Sequence, residues 1–410
     1  MYSISLLKIL KTTFHYDGIQ YNNKQNAGFF SKKDQSQIKK GEKKMKHLFK
    51  TISSVLSVIC AAGLIFSVAD SHAAKDAIKW KYNSLWPSGF ALYEADKYFV
   101  ETVNKLSGGR LTIKLYPAGQ MIAGHQNFDA VKKGTMELAG DFGPYWAGKN
   151  TAFDILGTTP MGMTWIDYIL WIYHGGGQEI YDELYGEHNI KWLLESMTPV
   201  ESGFRTNVPI NTIEDFKGLK LRMGSLFGQR ILEKLGASPI MMDGSEIYEA
   251  VSRGVVDGAE FSVPAVDWSA GFQEIAEYWC APAWYQTAIV LGIIINKDAW
   301  EALPDDLKEV VIQASRASTA YMSSWFEYQN IEATENFLKQ GIKITSLDDA
   351  SMQKLQVIIN EVLSEEAKKN PDFAKVLKSQ VQYMKDFAPV RAYEKPYTFG
   401  FNPESYPELP

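Results

Sequence analysis

The sequence predicts an α/β fold of two related lobes, with one long helix that spans both. Short apolar segments alternate with helical segments twice along the chain, between residues 78 and 142 and again between 218 and 267. This repeated alternation with short connections favours parallel β-sheets. From Pro304 to Lys339 the chain has no internal Gly or Pro, and a helix of that length extends about 50 Å at 1.5 Å per residue. Such a helix is longer than one small lobe and is expected to brace both.

The first alternation contains five predicted elements. They are strand 78–86, helix 90–106, strand 110–117, helix 125–133 and strand 136–142. A further helix is predicted over 178–185, after three consecutive glycines. These glycines do not indicate a phosphate-binding loop, because the Lys and the Ser or Thr of that motif are missing.

The second alternation begins with the segment Leu219–Arg222, in which apolar and charged residues alternate as in a half-buried strand. The elements that follow are a helix capped by Ser225 and ended by Gly236, a strand over 238–243, a helix capped by Ser245 and ended by Gly254, and a strand over 255–261. The rhythm is the same as in the first alternation, which predicts two lobes of related design.

The ends of two strands in this second alternation carry polar side chains. Arg222 follows the first strand, and Glu260 and Phe261 end the last one. In open α/β sheets, ligands bind outside the carboxyl ends of the strands. A guanidinium, a carboxylate and an aromatic ring at this edge indicate a site for a small acid, and they favour a receptor over a catalyst.

The remaining segments are interpreted from their composition. Residues 191–207 are predicted as a longer strand pair or as a crossover between the lobes, and 287–296 as a buried strand that returns the chain. The tail from Pro389 is rich in Pro and Tyr and is predicted to be extended on the surface.

The N-terminal residues are not expected to belong to the mature fold. Residues 45–74 start with lysines, continue with an apolar run and end in small residues, the pattern of a signal peptide for export to the periplasm. A retained membrane anchor is the alternative. Residues 1–44 are polar and rich in lysine, and are interpreted as a disordered leader or a mis-assigned start. Cys60 lies inside the apolar run without a lipidation motif.

Charge and cysteine content exclude several classes of function. Residues 1–74 hold 11 lysines and four acidic residues, so the rest of the chain carries a net charge of −13, against −6 for the whole. An acidic exported protein is a poor binder of nucleic acid or anionic lipid. Cys280 is the one thiol that remains after cleavage, and we expect a buried small side chain rather than a catalytic thiol.

Several segments in this order resemble the DctP family of extracytoplasmic solute receptors from TRAP transporters, and within it the 2-oxo acid (TakP-like) branch. The resemblance covers nearly all of 78–400. The segments that carry it are YWAGKNTAF at 145–153, TPMGMT at 159–164, GGGQEIYDELY at 175–185, FKGLKLRMG at 216–224, LGASP at 235–239, EIYEAVSRGVVDGAEF at 246–261 and INKDAWEAL at 295–303.

The resemblance implies a two-lobed, periplasmic-binding-protein-like fold that closes on its ligand by a hinge and then docks with membrane transporter subunits. We assign lobe I to 75–197 and 286–325. Lobe II takes 198–285 and 326–410, including the bracing helix and the C-terminal tail. The resemblance also implies that Arg222 pairs with the carboxylate of the ligand, which a planar guanidinium can bind with two hydrogen bonds.

In the TakP-like branch the ligand also contacts a metal cation, and the positions that match its ligands are Glu201, Glu260 and Phe261. The branch commonly has Gln and Trp where this chain has Glu201 and Phe261. A second carboxylate favours Ca²⁺ over Na⁺, because Ca²⁺ takes several oxygen ligands and benefits from their charge. Alternatively, Glu201 contacts a donor group on a different ligand.

Aromatic residues complete the site that the resemblance implies. Tyr145 or Trp146 match the ligand-contacting aromatic region of the family, and Asn83, Trp86 and Trp284 are weaker candidates for lining the cleft.

The predicted function is therefore a periplasmic receptor for a 2-oxo or 2-hydroxy monocarboxylate, and not an enzyme. A hydrolase is not supported, because the sequence has no GxSxG segment. The enzymatic alternative is a lyase or decarboxylase that uses Arg222 and Glu260. A third class, an exported signalling or structural module, predicts no tight small ligand. The sequence leaves open which acid binds, which cation accompanies it, and whether the chain is a monomer or a homodimer.

Overall fold

The structure, a computed structural model, describes residues 77–394, and these form two β-sheets flanked by helices. The leader predicted over 1–44 and the signal peptide predicted over 45–74 lie outside the described residues. No helix within 77–394 combines the length and the apolar character that crossing a membrane requires. The mixed α/β architecture confirms the predicted fold class.

The first sheet has five strands in the order β2-β1-β3-β10-β4. Its first three strands are parallel, as the strand–helix alternation predicts, whereas β10 runs antiparallel to both β3 and β4. The strands are β1 (Ile78–Asn83), β2 (Leu111–Tyr116), β3 (Leu138–Asp141), β4 (Ile190–Thr198) and β10 (Ile289–Asn296). We call this sheet, together with helices α1–α5 and α9, lobe I. These helices are α1 (Tyr93–Leu106), α2 (Asn127–Lys132), α3 (Ala152–Gly157), α4 (Trp165–His174), α5 (Gly177–Gly186) and α9 (Lys297–Glu301).

The second sheet has six strands in the order β11-β9-β5-β8-β6-β7, and with helices α6–α8 it forms lobe II. Strands β6, β7 and β8 are parallel, as predicted, and β5 runs antiparallel to β8 and β9. The strands are β5 (Phe204–Thr206), β6 (Lys220–Arg222), β7 (Ser238–Ile240), β8 (Gly258–Ala259), β9 (Tyr278–Cys280) and β11 (Lys343–Thr345). The helices are α6 (Leu226–Lys234), α7 (Ile247–Ser252) and α8 (Pro264–Ser269).

The chain passes between the sheets at 199–203 and again at 281–288. Strand β4 pairs with β10 in the first sheet and β5 pairs with β8 and β9 in the second, so segment 191–207 is a crossover and not a strand pair. Strand β10 returns the chain and is buried along its whole length, as predicted. The predicted boundaries of the two lobes remain a prediction.

Helix α10 (Asp305–Lys339) is the predicted long helix and contacts both lobes. Ser323 accepts a hydrogen bond from the backbone N–H of Met197 in β4 (2.8 Å), and Asn330 accepts one from Ala265 in α8 (3.0 Å). These contacts confirm the bracing role. Two further helices complete the fold, α11 (Asp349–Ala367) and α12 (Pro371–Glu394).

Two local predictions are wrong. Ser245 does not cap α7, because a 3₁₀ turn over Gly244–Glu246 precedes that helix and Asp243 stands at its start. The backbone N–H of Asp243 donates to the carboxylate of Glu246 (3.2 Å), so the helical turn begins two residues earlier.

The second correction concerns Pro389, which lies inside α12 instead of beginning an extended tail. A proline cannot donate to the carbonyl four residues before it. That carbonyl belongs to Lys385, which is exposed, so water can take the place of the missing N–H. The rest of the predicted tail, from residue 395, lies outside the described residues.

Cys280 lies at the end of β9 and is buried, as predicted. Burial raises the pKa of its thiol to about 11, which keeps the thiol protonated and unreactive at neutral pH.

Candidate functional site

A narrow cavity lies between the two lobes. Its walls come from the ends of β3 and β6, the residues after β1 and β8, and the start of β10. The lining residues are Trp86, Leu92, Phe142, Tyr145, Arg222, Glu260, Phe261, Gln286, Ile289 and Leu291. The space open to the centre of a water molecule is about 10 Å³, room for about one water. The lobes therefore lie close together around this cavity.

Arg222 ends β6 and is 2% exposed. Its Nη1 donates to the carboxylate of Glu260 (2.7 Å) and to the backbone carbonyl of the same residue (3.0 Å). Its Nε and Nη2 donate to the carbonyl of Met242 at 3.3 and 3.1 Å. Gly224 makes this geometry possible, because a Cβ at that position would meet the guanidinium nitrogens at 2.9–3.0 Å.

The carboxylates of Glu260 and Glu201 both contact the side-chain amide of Gln286. The N–H of Gly224 donates to Glu260 Oε1. With its amide nitrogen turned toward the carboxylates, Gln286 donates to both oxygens of Glu201 (3.1 and 2.5 Å) and to Glu260 Oε2 (3.2 Å). Three oxygen-bearing side chains from three separate segments thus converge beside Arg222.

If both carboxyl groups were ionised, the cluster would carry one more negative than positive charge. Glu201 and Glu260 are 2% and 1% exposed. Burial, and then the charge of Glu260, raise the pKa of Glu201 well above its usual range. Burial also raises the pKa of Glu260, and the neighbouring guanidinium of Arg222 opposes that rise. One guanidinium faces two buried carboxylates, so a second positive charge would stabilise the ionised cluster.

The donor set fits a hard cation. Turned the other way, the Gln286 amide places its oxygen against the carboxylate oxygens of Glu201 and Glu260. A metal ion can occupy that position and bind carboxylate and amide oxygens together, the ligands that Ca²⁺ prefers. Within residues 77–394, no group of three or more His, Cys, Asp or Glu side chains is placed to hold a metal. A cation here would therefore need further oxygens from the backbone or from the bound acid.

Some of the aromatic candidates line the cavity, and the others are buried in the protein core. Tyr145 lines the cavity, and its hydroxyl accepts a hydrogen bond from Gly244 of lobe II (3.3 Å). Burial raises the pKa of Tyr145 to about 12. Phe261 packs edge-on against Trp86 of lobe I, with ring centroids 6.2 Å apart. These three aromatic rings form the apolar side of the site.

Trp146 does not line the cavity. Its indole N–H donates to the buried carboxylate of Asp141 at the end of β3 (2.5 Å). Asn83 is held by Asn127 (2.8 Å), and Trp284 packs against the ring of Phe216. The structure therefore places these three candidates in the core, and of the weaker candidates it brings Trp86 to the cavity.

Gln286 is the site residue that sequence reasoning missed. It stands in the segment between β9 and β10, where the chain returns to lobe I. Its backbone carbonyl accepts a hydrogen bond from the N–H of Glu201 (3.3 Å). A polar residue just before a fully apolar strand, within the segment that already held Trp284, is the signal that could have revealed it.

Comparison with known proteins identifies the family. The pattern of a family described as bacterial extracellular solute-binding protein, family 7 (DctP), matches residues 82–370. The chain belongs to this family. The match spans most of the described structure and includes both lobes and the cavity between them, and it confirms the resemblance in the sequence.

Individual relatives of this DctP chain are similar over most of its length. A monocarboxylate 2-oxoacid-binding periplasmic protein of Nostoc sp. is 28% identical over 321 residues, which are 78% of this chain and 88% of that protein. A TRAP periplasmic solute binding protein of Pseudoalteromonas atlantica, solved with bound sodium and pyruvate, is 31% identical with a TM-score of 0.75, over 81% of this chain and 100% of that one. One of Colwellia psychrerythraea, solved with calcium and pyruvate, is 29% identical with a TM-score of 0.74, over 78% of this chain and 100% of that one.

Proposed function

We propose that this DctP chain is a periplasmic TRAP receptor that binds a 2-oxo or 2-hydroxy monocarboxylate together with a cation and performs no chemistry on it. One observation supports this most strongly: Arg222, Glu260 and Gln286 line a cavity between the two lobes, and the buried carboxyl group of Glu201 contacts the Gln286 amide, so one guanidinium stands beside two carboxyl groups. Two similar structures hold pyruvate with sodium or calcium, which fits a site of this charge.

Arg222 binds the carboxylate of the acid in this proposal. Its guanidinium carries five N–H groups and makes four hydrogen bonds, to Glu260 and Met242. If the Glu260 carboxylate were bound to a cation, Nη1 of Arg222 would lose that acceptor. The guanidinium can then offer two N–H groups to the acid, the arrangement that carboxylates bind most strongly.

A bound cation would supply the positive charge that stabilises the carboxylate and the 2-oxygen of the acid. Its protein ligands would be the carboxylates of Glu201 and Glu260 and the amide oxygen of Gln286, with the Phe261 carbonyl as the further ligand that the family resemblance implies. Ca²⁺ suits this set better than Na⁺, because two carboxylates match a divalent charge. The rings of Trp86, Tyr145 and Phe261 exclude water and strengthen these charges.

The experiment is calorimetric titration of the exported protein with pyruvate, with Ca²⁺ and after treatment with a chelator. We expect binding with Ca²⁺ and much weaker binding without it. Thermal unfolding should show stabilisation of about 2.7 kcal/mol at a hundredfold excess of acid over Kd. The acid should be recovered unchanged. Consumption of the acid would favour the lyase or decarboxylase alternative, and a lack of binding by any short 2-oxo or 2-hydroxy acid would contradict the receptor.

The proposal extends to location and partners. The apolar run at 45–74 would export the chain and be removed, and the loaded receptor would then dock with the membrane subunits of a TRAP transporter. Cell fractionation with N-terminal sequencing of the periplasmic protein tests the first point. A mature N-terminus near residue 75 is expected, and recovery of the uncleaved chain in membranes would instead indicate a retained anchor.

A further inference from the structure

A second ion pair lies directly behind the site. Arg205 of β5 and Asp267 of α8 are 1% and 0% exposed. The Nε of Arg205 donates to Asp267 Oδ2 at 3.0 Å. The guanidinium lies between two aromatic rings, 4.1 Å from the centroid of Trp279 and 4.0 Å from that of Phe337. Phe337 belongs to the long helix α10, so the pair joins β5, α8, β9 and α10.

The pair is bonded to both segments that carry the site carboxylates. Arg205 Nη2 donates to the hydroxyl of Ser202, the residue after Glu201 (3.2 Å). Asp267 Oδ1 accepts from the backbone N–H of Ser262, the residue after Phe261 (3.0 Å).

The two serines are also bonded to each other, since the N–H of Ser202 donates to the carbonyl of Ser262 at 2.8 Å. The carbonyl of Ser202 accepts from the indole of Trp279 (2.6 Å). The main chain of each site segment is therefore fixed one residue after Glu201 and one residue after Phe261.

Stability alone does not explain a buried pair of this kind. Removing two charges from water costs several kcal/mol for each ion, and apolar replacements of similar volume are often as stable. What an apolar pair cannot do is direct hydrogen bonds to two particular main-chain segments at once. The best-attested benefit of such buried polar groups is to fix one geometry among several.

We propose that Arg205 and Asp267 are positioning residues that hold Glu201 and the Glu260–Phe261 segment at the separation that cation and acid binding require. This inference rests on the proposed function. Neither residue is among those that line the cavity, so the pair acts through Ser202 and Ser262.

The test uses the double variant Arg205→Gln/Asp267→Asn, which removes both charges together and keeps similar volumes. Two quantities are measured on the exported protein by titration with pyruvate: the acid Kd in saturating Ca²⁺, and the factor by which Ca²⁺ tightens acid binding. We expect the Kd to rise about 10- to 100-fold, the usual effect of losing partners that orient metal ligands. We also expect the Ca²⁺ factor to fall toward one. A purely structural role would lower the melting temperature and leave that factor unchanged.

A matched control is Glu195→Gln, which alters another buried carboxyl group, bonded to Tyr82 in lobe I; neither Glu195 nor Tyr82 lines the cavity. It should shift the melting temperature and leave both binding quantities as in the wild type. If the double variant fails to fold, Arg205→Lys is used instead, because lysine keeps the positive charge but lacks the Nη2 group that donates to the hydroxyl of Ser202. A folded variant with wild-type Kd and Ca²⁺ factor overturns the inference and leaves the proposed function standing. A wild type that binds no acid overturns both.

Discussion

Arg222 and Glu260 lie 38 residues apart in the chain and share two hydrogen bonds at the ends of neighbouring parallel strands. Register explains this meeting, because Leu221 pairs with Gly258 and Arg222 with Ala259. The next residue after β8 therefore turns its carboxylate toward the guanidinium. Met242 fixes the other edge of the guanidinium through its carbonyl. The side chain is held in a single orientation before any acid binds.

The substitution Arg222→Lys tests whether that orientation matters as well as the charge. Lysine keeps a positive charge but cannot hold Glu260 and Met242 while also facing the acid. We expect acid binding to weaken about 10- to 100-fold, because a hydrogen bond to a charged group contributes about 1.5–3 kcal/mol. Titration of the variant with pyruvate in the presence of Ca²⁺ measures the acid Kd. The control is Arg253→Lys, at an exposed arginine paired with Glu249 on the same helix turn. If the variant bound the acid as tightly as the control, Arg222 would not be a residue that binds the acid.

Glu201→Gln tests the second carboxylate. The Ca²⁺ affinity should fall at least about tenfold, because Ca²⁺ binding depends on the charge of the ligand set. The same variant should melt at a higher temperature in chelator, since it no longer buries a carboxylate next to Glu260. Calorimetry and thermal unfolding give the two values, with the exposed Glu309→Gln as the control. Unchanged Ca²⁺ affinity would support the alternative that Glu201 contacts a donor group of the ligand.

At this scale the sequence predicts which residues stand at strand ends, but not which distant segments meet. The positions of Arg222, Glu260 and Phe261 follow from periodicity, and the structure places all three at the cavity. Gln286 could not be found in this way, because its role depends on the chain crossing back between the lobes beside Glu201. The choice between Tyr145 and Trp146 depends on which of two adjacent side chains faces the cleft, and a 3₁₀ turn decides it.

Helices and strands whose apolar residues recur at a regular spacing were predictable, because the face that this spacing marks as apolar is also the face that packs against the rest of the fold. The parallel units, the buried strand β10 and the long helix α10 all belong to this class. The direction of β10 was not predictable, because a strand that returns from the other lobe can enter the sheet either way. The start of α7 was misjudged since Asp243, two residues before Ser245, begins the preceding 3₁₀ turn.

Three elements of lobe I meet at a buried acidic cluster that makes stability depend on pH. The hydroxyl of Tyr82 in β1 lies within hydrogen-bond distance of the carboxyl groups of Asp96 in α1 and of Glu195 in β4 (3.1 Å to the latter). Burial raises the pKa of Asp96 to about 6, and burial followed by the charge of Asp96 raises that of Glu195 well above its usual range. A raised carboxyl pKa contributes stability that is complete below the unfolded value and is lost as the pH rises through the folded value.

The variant Glu195→Gln should therefore flatten the pH dependence of unfolding. In the wild type, we expect the free energy of unfolding to fall as the pH rises above the ordinary glutamate value of 4.5. Glutamine has no proton to release, so the stability of the variant relative to the wild type should increase as the pH rises above 4.5. Denaturant unfolding at a series of pH values measures this. An equal slope in both proteins would show that Glu195 is not protonated in the fold.

Across the whole molecule, polar contacts join the two lobes around the cavity, in addition to the packing of Phe261 against Trp86. His125 of lobe I pairs with Asp243 of lobe II (3.0 Å), and the backbone N–H of Ala91 donates to the hydroxyl of Ser269 (3.0 Å). The acid and its cation would lie between these contacts. Two sources would then stabilise the closed arrangement of the lobes: the bound ligand, and contacts between the lobes that do not involve the ligand.

The double variant His125→Ala/Ser269→Ala tests that division, because neither residue lines the cavity. The histidine is 62% exposed, so its contact with Asp243 contributes about 0–1 kcal/mol, and the serine hydrogen bond contributes about 0.5–1.5 kcal/mol. A closed state weakened by these amounts lowers the population that can bind. We expect the acid Kd to rise about three- to thirtyfold, mainly through faster dissociation, while the Ca²⁺ factor stays unchanged.

Small-angle X-ray scattering should show a larger radius of gyration without acid and the wild-type value once acid and Ca²⁺ saturate the site. The control is Arg253→Ala, whose partner Glu249 lies in the same lobe. A radius and a Kd equal to those of the control would show that the lobes close without help from these contacts.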